Sequence, residues 1–148
     1  DRYFLFYIPW LKSNVNFEPG SKEEDRPMQG QSPYLVNAGL FYQQPKNGWN
    51  AAILYNRIGK RIIGVGRSLG SAGNEVRVPD SYEMPRNAID LSASKKFGKL
   101  EVKAAIRDVL AEKVSFKQFE NTENGEVQQI TRQFKPGRSF NVNISYNF

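Results

Sequence analysis

Few side chains in this sequence could carry catalysis. The chain has no cysteine and no histidine, which excludes thiolate nucleophiles, imidazole bases and the usual zinc and haem ligands. Without these two residue types, neither a Ser-His-Asp nor a Cys-His arrangement is possible. No hydroxyl or amine has a recognisable activating partner either. We therefore expect that the protein is not an enzyme and that it holds no cofactor.

Three stretches contain residue types that bind ions. Residues 64–70, GVGRSLG, are rich in glycine like a phosphate-binding loop, but they lack the Gly-Lys-Ser/Thr ending and the strand-to-helix context. The acidic run at 23–25 and the pair Asp80 and Glu83 could bind calcium, although neither has EF-hand spacing. We interpret all three as parts of exposed loops and predict no metal site.

Four polar residues interrupt segments that are otherwise apolar, namely Asn37, Asp90, Lys103 and Arg107. In a soluble protein such side chains would be exposed on the surface. In a membrane barrel they would line the lumen, where charges pair across strands and select what passes. We treat them as lumen-facing candidates. The 21 lysines and arginines are scattered along the chain and give a net charge of +6, so we predict no nucleic-acid site.

The last ten residues show which kind of element must position these side chains. Residues 139–148, SFNVNISYNF, alternate a large apolar residue with a small polar one. Side chains alternate faces along a β-strand, so this segment has one apolar face and one polar face. Such a strand suits either a half-buried soluble sheet or a membrane barrel with lipid outside and water inside.

The same two-residue period recurs along the chain and predicts about six long strands, the first of them disturbed at Pro9. The expected strands are 3–17, 34–43, 49–58, 87–97, 100–110 and 138–148. Short turns join two pairs of these strands, and the other connections are long, charged and rich in glycine and proline. The expected long loops are 18–33, 59–86 and 111–137. Within the last loop we predict a hairpin around Asn124 and Gly125.

One segment fits two structures. Residues 101–119 also place apolar side chains at spacings of three and four, and their alanine, lysine and glutamate content favours a helix. Periodicity alone leaves both strand and helix open for 100–110.

The connections differ between the two ends of the predicted sheet. Short turns at one end and long loops at the other are typical of bacterial outer-membrane barrels. Tyr42, Trp49, Phe97 and Phe148 all fall at the short-turn end on apolar faces, where they would form a periplasmic aromatic girdle. The predicted fold is all-β, with antiparallel up-and-down strands forming part of a transmembrane β-barrel that has short periplasmic turns and long extracellular loops.

A family resemblance rests on four stretches in a fixed order. They are RPMQGQSPYLVNAGLFY at 26–42, LYNRIGKRI at 54–62, YEMPRNAIDLSASKKFG at 82–98 and GRSFNVNISYNF at 137–148. Together they resemble the C-terminal part of the barrel of TonB-dependent outer-membrane receptors, of the kind found in Bacteroidetes. The resemblance implies a barrel of about twenty-two strands around an N-terminal plug, which imports a siderophore, vitamin or glycan with energy relayed by TonB. It also implies that 100–110 is a strand, and that Tyr146 and Phe148 form part of the signal for the barrel-assembly machinery.

The sequence departs from that family because it contains no plug and no TonB box, and about six strands are too few to close a barrel. We therefore expect residues 1–148 to be a processed chain or a piece of a larger receptor in the bacterial outer membrane. The expected partners are the lipid bilayer, the plug and other strands of the same receptor, TonB through the plug, the assembly machinery and a small ligand. The alternative is a soluble β-sandwich or small barrel that acts as a binding or adhesion module.

Overall fold

A computed structural model describes residues 2–10, 14–16, 26–69, 76–122 and 125–148. Within these residues the chain forms antiparallel β-sheets, which confirms the all-β prediction. The strands are, in chain order, β1 (Arg2–Tyr7), β2 (Asn14–Val15), β3 (Arg26–Pro27), β4 (Leu35–Gln44), β5 (Trp49–Ile58), β6 (Arg61–Gly64), β7 (Arg67–Leu69), β8 (Val76–Val78), β9 (Ser81–Glu83), β10 (Arg86–Phe97), β11 (Leu100–Arg107), β12 (Val114–Thr122), β13 (Gly125–Phe134) and β14 (Ser139–Tyr146). Among the described residues, no helix is long and apolar enough to cross a membrane.

Six long strands form the larger sheet, in the order β1-β4-β5-β10-β11-β14, and every neighbouring pair is antiparallel. Strand β5 has the expected bounds, while β4, β10 and β14 differ from theirs by one or two residues. The alternating sequences account for this agreement, because a period of two residues is satisfied by an extended chain and by no helix. In the described part of the chain this sheet is open, with β1 and β14 as its two edges.

The segment that fitted both strand and helix is a strand, β11, followed by a turn and a second strand, β12. Asp108 and Ala111 both adopt positive φ, at 53° and 47°, which ends β11 three residues earlier than expected. This break shifts the phase of the apolar residues between β11 and β12. The shift explains why apolar residues in 101–119 recur at spacings of three and four, because this sequence spans two strands and the turn between them.

The single strand expected at 3–17 is wrong. Strand β1 ends at Tyr7, Trp10 then forms one isolated bridge with Tyr34, and β2 pairs with β3 outside the larger sheet. Pro9 has no N–H to donate to a ladder, and its carbonyl instead accepts from the Leu35 N–H at 3.3 Å. The predicted disturbance at Pro9 is therefore a complete interruption of the strand.

The region expected as an irregular loop at 59–86 contains the short strands β6 to β9, so that prediction is wrong there, and the long connection at 111–137 contains β12 and β13. These strands form a four-stranded sheet in the order β13-β12-β9-β6 and a separate pair, β7 with β8. The hairpin predicted around Asn124 and Gly125 is confirmed by the pairing of β12 with β13, although residues 123 and 124 lie outside the described part.

Neither sheet encloses a conventional core. Ile62 in β6, with 1% of its surface exposed, is the one large apolar side chain fully buried among the described residues. Its backbone carbonyl accepts from Gly30, and the neighbouring Ile63 carbonyl accepts from Gln29. The segment after β3 is thereby fixed against the edge of the smaller sheet, while the larger sheet stays one layer thick.

Candidate functional site

The strand register places large apolar residues from all six long strands on one face of the larger sheet, which we call the apolar face. Residues that are directly opposite in antiparallel strands share a face. One row across the sheet runs Phe4–Leu40–Ile53–Leu91–Ile106–Phe140. Every member of this row is large and apolar, although the six residues come from segments far apart in the sequence.

This apolar face is open to its surroundings. Phe4 is 67% exposed, Ile53 47% and Phe140 72%, values expected at a surface and not in a core. In the described chain, no second layer covers these side chains. A contiguous exposed apolar surface of this width marks a contact with a protein partner or a membrane.

The opposite face, which we call the polar face, is rich in amides and hydroxyls. One row on this face runs Gln43–Asn50–Ser94–Lys103–Asn143 across five strands. Asn56 Nδ2 donates to Asn37 Oδ1 at 2.5 Å, and Asn50 Nδ2 donates to Ser94 Oγ at 3.4 Å. Aromatic groups also occur here, since Tyr3 and Phe41 stack with ring centroids 5.5 Å apart. The face is therefore polar but mostly uncharged.

The four lumen-facing candidates all lie on the polar face in this register. Asn37 is held by Asn56, and Asp90 Oδ1 accepts the backbone N–H of Asp108 at 2.9 Å. Lys103 and Arg107 are exposed, and neither forms an ion pair within the described residues. The structure thus brings the four onto one surface but does not join their charges.

The aromatic residues predicted at the short-turn end lie beside cations. Lys95 Nζ lies over the Trp49 ring at 4.6 Å from its centroid and over Phe97 at 5.1 Å. Arg2 lies over Tyr42 at 5.9 Å. Tyr42, Trp49 and Phe97 therefore share one end of the apolar face.

The two residues of the expected assembly signal lie against each other at the same end of the sheet. Phe148 follows β14 and contacts Tyr146 edge-on at 5.3 Å between ring centroids. Tyr146 pairs with Leu100, and the Asn147 N–H donates to the Lys99 carbonyl at 2.9 Å. These contacts hold the end of β14 beside the turn between β10 and β11.

A polar cluster that the sequence did not indicate lies at the long-loop end of the apolar face. Tyr55 OH and Arg57 Nη1 both donate to Asn87 Oδ1, at 2.7 and 3.0 Å. Asn87 in turn donates to Glu112 through its backbone N–H at 2.8 Å and through Nδ2 at 2.9 Å. These hydrogen bonds hold the pKa of Glu112 below its ordinary value. No periodicity in the sequence relates Glu112 to Asn87, so this cluster could not be predicted before the fold was known.

Asp80 and Glu83, two of the acidic residues considered as calcium ligands, are each paired with an arginine. Asp80 contacts Arg26 at 3.3 Å, and Glu83 contacts Arg61 at 2.7 Å. Asp80 also accepts the Gly66 N–H at 2.7 Å, so a backbone amide of the phosphate-loop-like stretch is already satisfied by a carboxylate. That stretch contains the end of β6 and the whole of β7. Its Gly70, like the acidic run at 23–25, lies outside the described residues. Where the structure describes the chain, no three acidic side chains gather as a metal site would require.

The smaller sheet carries a separate cation–aromatic contact. Lys60 Nζ lies 4.0 Å from the Tyr82 centroid and 3.8 Å from that of Phe119, whose rings meet edge-on. Burial raises the pKa of the Tyr82 hydroxyl, and the nearby Asp80 carboxylate adds to the increase. The contact joins the start of β6 to β9 and β12.

The geometry thus offers a surface for contact and no assembled catalytic group among the described residues. Comparison with protein-family models gives no match for this chain, and comparisons with curated proteins and with solved structures give none either.

Proposed function

We propose that this chain is a segment of a TonB-dependent receptor in the bacterial outer membrane, where it forms part of the barrel wall and of the external loops. Such a receptor imports a nutrient of the siderophore, vitamin or glycan class. In this proposal the apolar face contacts lipid, the polar face lines the lumen and the smaller sheet projects from the long-loop end.

The observation that carries the proposal is the register of the apolar row, Phe4 to Phe140. A membrane barrel needs lipid-facing and lumen-facing residues to alternate on every strand, and neighbouring strands must keep the same phase. The apolar row keeps one phase across all six strands, although β1 also carries Leu5 and Tyr7 on the opposite face. A one-residue slip at any neighbouring pair from β4 to β14 would have brought polar side chains into the row, whereas β1 is apolar on both faces.

The alternative, a soluble β-sandwich, needs a second layer to cover the same residues. The smaller sheet does not supply it, because Phe4, Ile53 and Phe140 stay largely exposed. For a membrane segment, this exposure is the expected state.

The two edge strands, β1 and β14, indicate which partners this proposal requires. Unpaired backbone groups in hydrocarbon cost several kcal/mol each, so both edges would pair with other strands of the same receptor. The plug of that receptor would occupy the lumen beside the polar face and connect it to TonB.

Arginine substitutions at two neighbouring positions of β10 test the membrane assignment. Leu91 belongs to the apolar row, and its neighbour Ser92 lies on the polar face. After refolding into phospholipid vesicles, Leu91→Arg should lower the free energy of unfolding in urea by about 2 to 4 kcal/mol. The control Ser92→Arg places the same charge on the water-facing side and should cost much less.

Equal tolerance of both substitutions would contradict a lipid-facing apolar row. A stable, detergent-free monomer on gel filtration, with Leu91→Arg still strongly destabilising, would instead favour the soluble alternative.

A further inference from the structure

We infer that the short-turn end of the apolar face binds the headgroups of anionic phospholipids, through Lys95 and Arg2 held on aromatic rings. The inference rests on the proposed function, because it requires the apolar face to lie in a bilayer. It specifies which lipid headgroups contact one end of that face.

The first step is the placement of the two cations. Lys95 lies directly opposite Trp49, and Arg2 lies directly opposite Tyr42, so both cations belong to the apolar face. Each cation lies over its partner ring, at 4.6 and 5.9 Å from the centroid. The ring faces attract the charge and fix its position at the rim of the apolar surface.

The second step is the charge balance at this end. Lys46 in the turn before β5 and Lys99 in the turn before β11 lie at the same end of the sheet, so that four cations gather at this end. Among the described residues, none of the four is paired with a carboxylate. Glu101, the acid in the adjoining strand β11, lies opposite Lys96 on the polar face.

The long-loop end differs, because three of its arginines are already neutralised. Arg26 pairs with Asp80, Arg61 with Glu83, and Arg86 with Asp108. The two ends of the molecule therefore present different surfaces to their surroundings, and the rim cations at the short-turn end keep their charge available to an external anion.

The third step is the chemistry of the anion. A ring covers one side of the Lys95 ammonium and leaves other N–H donors free for acceptors at the headgroup level. A lipid phosphate supplies such oxygens at the depth where amphipathic aromatic rings reside. A net-negative headgroup is favoured over a zwitterionic one, since each basic residue near such a surface strengthens binding about fivefold. Along the sheet, Arg2 and Lys95 are three strand spacings apart, about 14 Å, so they would contact different lipid molecules.

The test uses tryptophan fluorescence from the full chain. Trp10 and Trp49 are the two tryptophans, so a Trp10→Phe background leaves Trp49 as the donor beside Lys95. The protein is refolded into phosphatidylcholine vesicles that contain either dansyl-phosphatidylglycerol or dansyl-phosphatidylcholine. Energy transfer from Trp49 then measures which lipid collects around this end. We expect about threefold to fivefold stronger association with the phosphatidylglycerol probe at low salt, decreasing as salt is raised.

Two variants locate the effect. Lys95→Gln should remove most of the preference, whereas Lys103→Gln, which removes an exposed cation from the polar face of the neighbouring strand, should keep it. Equal transfer from both probes in the Trp10→Phe background would overturn the inference and leave the membrane assignment standing. The inference is equally overturned if Lys103→Gln loses the preference as fully as Lys95→Gln. An absence of transfer from either probe would mean that Trp49 is not at a bilayer, and the proposed function would then fail with the inference.

Discussion

At the scale of single residues, Asp90 fixes the point at which two strands of the larger sheet separate. Leu91 pairs with Ile106, but beyond the end of β11 the Val109 N–H donates to the Ile89 carbonyl at 2.8 Å. Between these two contacts, the chain after β11 has one residue more than β10. Asp108, with φ of 53°, takes up this extra residue. Its backbone N–H would lack a strand partner, and the Asp90 carboxylate accepts it.

This role predicts the outcome of a matched pair of substitutions on the polar face. Asp90→Ala leaves the Asp108 N–H without its acceptor in a half-buried site and should lower the free energy of unfolding by about 1 to 2 kcal/mol. Lys103→Ala removes an exposed charge with no such partner and should stay within about 0.5 kcal/mol of the parent protein. Urea titrations of both variants make the comparison. Similar losses for the two would show that the Asp90 hydrogen bond does not stabilise the strand separation.

At the scale of elements, the two short turns use glycines of the same conformation in different surroundings. Gly48 has φ of 66° and Gly98 has φ of 60°, so both occupy the left-handed region that disfavours a Cβ atom. A Cβ on Gly48 would lie 2.7 Å from the Lys96 backbone oxygen, whereas a Cβ on Gly98 would meet nothing within 4 Å. The Gly48 carbonyl also accepts the Lys96 N–H at 2.9 Å.

We therefore expect Gly98→Ala to cost about 1 to 2 kcal/mol, which is the strain of the left-handed conformation alone. Gly48→Ala should cost clearly more, because the backbone contact between β5 and β10 must also open. Unfolding of both variants in urea measures the difference. A Gly48→Ala variant as stable as Gly98→Ala would mean that the two strand ends separate easily at the turn.

The elements that could be predicted from the sequence are those with a complete alternating pattern, and their partners could be predicted where a short turn joins them. Strand β14 is an example of the pattern, since Ser139 to Tyr146 alternate without interruption, and β5 is an example of the pairing, since a short turn links it to β4. The smaller sheet could not be predicted this way. Strand β9 has three residues and lies between β6 and β12, more than thirty positions away from Phe116 along the chain, so its pairing depends on tertiary contacts that no local period records.

The candidate surface was predictable for the same reason as the strands. Alternation fixes which side chains share a face, so the positions of Asn37 and Lys103 on the polar face followed from their phase. The Glu112 and Asn87 cluster and the Lys95 contact with Trp49 did not follow, because they depend on which strands become neighbours and on how far a flexible side chain reaches.

At the scale of the whole molecule, the larger sheet has an even number of antiparallel strands, and its two edges therefore run in opposite directions. Closure with antiparallel neighbours at both seams needs a further even number of strands between β14 and β1. Phe4 and Val142 lie on the apolar face of these two edge strands. Five strand spacings separate them, about 24 Å along the sheet, far beyond the roughly 7 Å between Cα atoms that a disulfide spans.

Because the chain has no cysteine, paired cysteine substitutions can test whether the sheet remains open in the folded protein. Ala104→Cys with Val142→Cys joins residues that are directly opposite in β11 and β14 and should form a disulfide within one chain, seen as faster migration on a non-reducing gel. Phe4→Cys with Val142→Cys should form no such bond, because five strand spacings separate the two edges of the open sheet. Reducing agent should abolish the shift of the first variant. An intrachain disulfide in the second would show that these six strands close on themselves, which is incompatible with a segment of a larger barrel wall.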